Sequence, residues 1–156
     1  MTPALEPNIC QTMAKDLSVF LASSYALFLK TQNFHWNVKD PRFNELHALF
    51  EAEYRELLEQ TDEIAERIRM LGQPSPGTFD AFKSLSFIDS PPEHLSGDEM
   101  IRHLGLDHQE ISKWLTEAIK RAQECGDEGT ADLYIQQMRA HDKQAWMLFS
   151  HLHERG

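Results

Sequence analysis

The sequence predicts an all-α fold: a bundle of four long helices with a short extra helix in the connection between the second and third. Two observations carry this. The 7 glycines and 7 prolines of the 156 residues fall into a few clusters. Between those clusters apolar residues recur at helical spacing, and no window shows strand alternation. At this length one domain spanning residues 1–156 is expected, with a core able to stand without covalent staples.

The first predicted helix covers 8–35, with Met13, Leu17, Phe20, Leu21 and Phe28 on one face. The second starts at Asp40, a capping residue followed by Pro41 at a position that suits proline, and ends at Leu71 before Gly72. A loop-rich stretch, 72–96, contains a short helix at 78–85. Ser96 with Glu99 three residues later is a capping box that opens the third long helix, which stops at Gly126. Asp127 or Thr130 opens the fourth, running to about 153. Four long helices with one longer middle connection make a bundle of the ferritin-like kind.

Fifteen basic against 25 acidic residues leave a formal charge of -10. That balance argues against general affinity for phosphate backbones or anionic lipid, which need clustered Lys and Arg. No stretch is long and apolar enough to span a bilayer, and the first residues lack a secretory pattern. Cys10 and Cys125 stand alone, as unassigned free thiols, so a reducing cytoplasm is the simplest expectation.

The second predicted helix carries the chemistry. Its eight acids between 44 and 71 mostly form a solvated face. Leu46, Phe50, Leu57, Ile64 and Ile68 share one sector, the bundle core. His47, Glu51, Tyr54, Leu58, Asp62 and Ala65 share a second, about a quarter-turn away, with Glu66 at its edge. Tyr and Leu among carboxylates suit a face that meets another chain. His47 and Glu51 are neighbours at i, i+4, as are Asp62 and Glu66, yet the two pairs lie roughly 22 Å apart along a helix. One ion cannot touch both pairs in one chain. If a second copy runs antiparallel so that His47 meets Glu66, then Glu51 meets Asp62, with the two-fold axis near Glu56 and Leu57. An isologous dimer makes this site twice. An imidazole with carboxylates and open positions suits ferrous iron and is no closed zinc site. The sequence contains no Glu-x-x-His, so a di-iron centre inside one bundle is not expected.

The run Phe34-His35-Trp36-Asn37-Val38, then Phe43, Leu46-His47, Phe50-Glu51, Tyr54, Asp62, and Ala65-Glu66-Arg67-Ile68 with Leu71-Gly72, resembles the signature of the Dps mini-ferritins, DNA-binding proteins from starved cells. So does Gly126 to Asp132, followed by His141, Lys143 and Ala145-Trp146-Met147-Leu148. The resemblance covers nearly the whole chain. It implies a hollow homododecamer that oxidises ferrous iron with hydrogen peroxide or oxygen, stores the ferric product as mineral and protects the cell from oxidative stress. It implies a ferroxidase centre of His35, His47 and Glu51 from one subunit and Asp62 and Glu66 from its neighbour. Trp36 resembles a tryptophan beside the iron that intercepts oxidising radicals.

Two positions depart from the family pattern. Asp40 stands where Gly is usual, and Phe149 where Arg is frequent, so a salt bridge is expected to be missing there. DNA-binding members often carry a Lys-rich arm. Here residues 1–16 hold one lysine, Lys15, and the far end offers only Arg155. Direct DNA binding is therefore not expected, and nucleoid compaction is the alternative function. Asp127 and Asp132 are the candidate acids of a three-fold pore that draws cations inward. His94, His103, His108, His141, His151 and His153 are expected in surface or structural roles, and Trp114 and Trp146 in packing.

Overall fold

A computed structural model describes residues 4–152. Its helices are α1 (Pro7–Asn37), α2 (Phe43–Met70), α3 (Phe79–Leu85), α4 (Gly97–Glu124) and α5 (Glu128–Phe149), with no strand among the described residues. α1 pairs with α2 and α4 with α5, while the short α3 lies on α1. The long helices close around Leu17, Phe20, Leu27, Phe34, Leu46, Phe50, Leu57, Ile64, Ile68, Leu104, Tyr134 and Leu148. The helical-wheel sector assigned to the core of the second helix is buried throughout.

The caps read from sequence are mostly in place. The Ser96 hydroxyl accepts from the Glu99 backbone N–H, and the Glu99 carboxylate accepts from that of Ser96. Gly72 and Gly126 take φ of 81° and 76°, the left-handed stops that let Gln73 N–H reach the carbonyl of Ile68 and Asp127 N–H that of Ala122. Asp127, rather than Thr130, caps α5. That helix ends at Phe149, short of the expected 153, which lies outside the described residues together with Arg155.

The start of α2 differs from expectation. Asp40 does not cap it. Its Oδ1 accepts from the backbone N–H of Arg42 at 2.8 Å and from Arg42 Nε at 2.9 Å. The Arg42 guanidinium also reaches Asp98 Oδ1 at 2.6 Å and the His151 carbonyl at 2.8 Å. The turn is thus tied to the start of α4 and to the chain beyond α5, and the helix begins at Phe43. The other departure also has a local reason. The Phe149 ring lies against Gly105, so close that a Cβ at 105 would collide with it, and an uncharged ring fills this place between α4 and α5.

Candidate metal centre

The short 38–42 connection returns α2 antiparallel along α1 and sets His35, in the last turn of α1, against His47, in the second turn of α2. The two imidazoles stack with centroids 3.7 Å apart and planes 13° from parallel. His35 Nδ1 donates to the His47 carbonyl and His47 Nδ1 to the His35 carbonyl, each at 2.7 Å. Because α1 ends two residues after His35, that carbonyl has no donor from a following helical turn. His47 supplies the donor. A carbonyl only accepts, so each Nδ1 carries a proton, and in the neutral ring the lone pair is on Nε2.

The His35 Nε2 faces a carboxylate. Glu51 Oε1 lies 3.8 Å from His35 Nε2, and Glu51 Oε2 takes a 3.0 Å bond from Arg55 Nε one turn on. Tyr54 meets the His35 ring edge-on at 5.3 Å, and Phe43 stacks on the outer face of His47 at 4.8 Å. Trp36, next to His35, is 61% exposed.

The structure brings together His35, His47 and Glu51, and leaves Asp62 and Glu66 further along α2, both exposed. Asp62 borders an open cleft of about 830 Å³ walled by Leu21, Tyr25, Leu58, Ala65, Phe79 and Phe82. Among the described residues, no three His, Cys, Asp or Glu side chains in one chain are grouped to hold a metal ion. Within a single chain the donors form two half-sets, His35 of α1 with His47 and Glu51 of α2, and Asp62 with Glu66 further along α2, where Leu58 is 47% exposed.

Asp127 is a correction. It is 1% exposed, and its carboxylate accepts from Arg67 Nη2 at 2.7 Å and from the backbone N–H and the hydroxyl of Thr130. It joins α2 to α5, and its carboxylate is engaged by Arg67 and Thr130. Asp132 is exposed, with Gln136 donating to it at 2.7 Å. Trp146, expected to pack, is also exposed, whereas Trp114 stacks on Phe20 and Phe87.

Sequence spacing gave no sign of a buried polar cluster inside the bundle. His108 of α4 and His141 of α5 are fully buried and share an Nδ1–Nδ1 hydrogen bond of 2.8 Å. Glu53 of α2 lies 3.8 Å from His108 Nε2. Burial, then the charge of Glu56, pushes the Glu53 carboxyl up to about 9. Burial lowers His141 to about 3, and burial together with His141 lowers His108 well below the usual imidazole range. The three come from three helices with no shared motif, so no local signal marks them.

Known proteins place this geometry in a family. The family model of the ferritin-like domain matches residues 14–155. The DNA protection during starvation protein of Agrobacterium fabrum is 32% identical over 158 residues, covering 97% of this chain and 94% of that one. The crystal structure of Dps from Staphylococcus aureus, at 34% identity, superposes with a TM-score of 0.89 over 93% of this chain and 97% of that chain. The Vibrio cholerae Dps structure, described as a member of a broad superfamily of ferritin-like diiron-carboxylate proteins, gives 0.90 at 29% identity over 96% of this chain and 95% of that one. On the matched family domain, this full-length kinship and the shared fold, the chain belongs to the Dps family of mini-ferritins.

Proposed function

We propose that the protein is a ferroxidase and iron store. Twelve copies form a hollow cage, and each two-fold contact between subunits completes two iron-oxidising centres. In each centre His35, His47 and Glu51 of one subunit face Asp62 and Glu66 of the next. The observation that carries this reading is the reciprocal His35–His47 lock, which turns each Nδ1 to a carbonyl and leaves each Nε2 available as a ligand atom, that of His35 beside the Glu51 carboxylate. Second-sphere acceptors of this kind set tautomer and ring orientation in metal-binding histidines. The separation of Asp62 and Glu66 from the histidines along one exposed face supports a site completed by a neighbour.

Ferrous iron is the substrate. Imidazole with carboxylates accommodates Fe2+, and the carboxylates favour the more highly charged ferric product. With hydrogen peroxide, two ferrous ions each give one electron, and the peroxide takes both electrons and two protons to become two waters. With oxygen, the same two electrons and two protons yield peroxide. The exposure of Trp36 beside His35 supports a role as the residue oxidised in preference to the ligands. Removal of iron and peroxide together accounts for protection against oxidative stress. Among the described residues no helix is long and apolar enough to cross a membrane. Action in the cytoplasm fits this reading.

Subunit complementation tests it. His47→Ala and Asp62→Ala are each expected to abolish fast iron oxidation with the cage retained. Cages reassembled from both mutants should regain about a quarter of the wild-type rate under random pairing, because each mixed two-fold pair holds one intact centre. Full activity in either single mutant, or no recovery on mixing, would overturn the shared site.

A further inference from the structure

Phe43 is the first residue of α2 and lies one helical turn before His47. Its ring stacks on the imidazole at 4.8 Å and 21°. The opposite face of the same imidazole is covered by His35 at 3.7 Å and 13°. His47 is therefore sandwiched between two rings, with its Nδ1 bonded to the His35 carbonyl. That bond fixes one atom of the imidazole but lets the plane swing about it. The two flanking rings remove that freedom and decide where Nε2 points.

Burial alone does not account for Phe43. The residue remains 42% exposed while its ring stacks on His47. Its position depends on the unusual turn before it. Asp40 holds the backbone N–H and the guanidinium of Arg42, and Arg42 in turn holds Asp98 and the His151 carbonyl. Those bonds set the helix start at Phe43, which places the ring four residues before His47, on the same side of the helix.

We propose that Phe43 is a positioning residue of the metal centre, holding the His47 ring so that Nε2 is aimed at the ion. This inference rests on the ferroxidase reading and adds a residue to it. An ion bound at Nε2 draws electron density from the imidazole and makes the ring more positive. The negative π-face of Phe43 then attracts it more strongly than it attracts the free ring. An aliphatic side chain can fill the volume but has no such face. Phe43 thus favours the metal-bound state as well as ordering the free one.

Cobalt(II) provides a readout that does not depend on turnover. The assembled, metal-free protein is titrated with Co2+, and the visible spectrum is recorded for wild type, Phe43→Leu, Phe43→Met, Phe43→Tyr and His47→Ala. Phe43→Leu and Phe43→Met should bind cobalt about tenfold more weakly, the range expected when a ligand loses its supporting contact. Both should show an altered band shape. Phe43→Tyr, which keeps the face, should match wild type. A purely structural role would lower the melting temperature of the metal-free protein without changing the band shape. If Phe43→Leu and Phe43→Met keep wild-type affinity and spectrum, the inference is overturned and the ferroxidase reading stands. If Phe43→Leu does not assemble, Phe43→Met and Phe43→Tyr decide. If wild type shows no cobalt band that His47→Ala removes, both the centre and this role for Phe43 are overturned together.

Discussion

His35 and His47 cap each other: each imidazole donates its Nδ1 proton to the other's main-chain carbonyl at 2.7 Å, while the rings stack between those bonds. The two side chains form one unit that joins the end of α1 to the start of α2 before any metal arrives. A double-mutant cycle on metal-free protein should therefore give a coupling of about 1 kcal/mol or more between His35→Ala and His47→Ala. Each single mutant leaves a carbonyl without its donor, at a cost of about 1–3 kcal/mol. Additive melting data would show that the two rings act independently.

The buried cluster predicts opposing pH slopes. The folded-state pKa of His141 is lowered from 6.5 to about 3. The unfolded chain takes up its proton first, so stability from this group is present above 6.5 and declines as pH falls from there towards 3. At pH 5 the loss is about 2 kcal/mol. Glu53 runs the other way. Its folded-state pKa is raised from 4.5 to about 9, so its contribution is fully present below 4.5 and is lost as pH rises towards 9. The cost at pH 7 is on the order of 3 kcal/mol. Glu53→Gln should raise the melting temperature at pH 8 and change little at pH 4.5, whereas His141→Gln should flatten the acid limb. Melting curves across pH with wild-type slopes in both variants would remove the cluster from the pH response.

Asp127 and Asp132 are five residues apart and should behave differently. Asp127→Ala removes both the cap of α5 and the partner of the Arg67 guanidinium. Loss of the cap costs about 1 kcal/mol. A guanidinium left unpaired where it is mostly buried costs more, about 3 kcal/mol. Asp132→Ala, at an exposed site, should move stability by no more than about 0.5 kcal/mol. If Asp132 lines a cation pore, its removal slows iron entry, read as the initial rate of mineral growth at limiting Fe2+. Unchanged uptake would leave the pore without its acid.

Most of the helix boundaries were legible because their signals are local. Gly72, Gly126 and the Ser96–Glu99 box act within a few residues, and spacing alone read them. Asp40 was misread because its partner Arg42 is held from residues 56 and 109 positions away, which no local pattern reveals. The same distinction runs through the site. Neighbours at i, i+4 on one helix singled out His47, Glu51, Asp62 and Glu66. His35 belongs to another helix, and only the resemblance put it with them. The stacking role of Phe43 and the burial of Glu53, His108 and His141 depend on how separate helices pack. Asp127 had the right composition for a pore, but its burial follows from the reach of Arg67 across from α2.

Charge decides the last question, whether the cage holds DNA. In the proposed cage, twelve chains at -10 each would carry a formal -120. Association with a duplex requires Lys and Arg that displace condensed counterions, and its strength falls steeply with salt. A local basic patch can still bind against an unfavourable total. The best candidate, around Lys113, Lys120 and Arg121, is partly neutralised by neighbouring carboxylates. Lys120 Nζ lies 3.4 Å from Glu117, and Arg121 Nε lies 3.0 Å from Asp16, with its guanidinium over the Trp114 ring. Lys15 sits inside α1 and belongs to no extended arm. No retardation of plasmid DNA is therefore expected at neutral pH and physiological salt without added divalent metal. DNA exposed to Fe2+ and peroxide should still be protected from cleavage, because the protein removes the reactants and need not coat the strand. A gel shift that survives chelator under these conditions would refute the electrostatic argument and move the protein into the nucleoid-compacting class. Protection lost in His47→Ala and Asp62→Ala cages, with the gel still unshifted, is the result expected if the chemistry alone shields the strand.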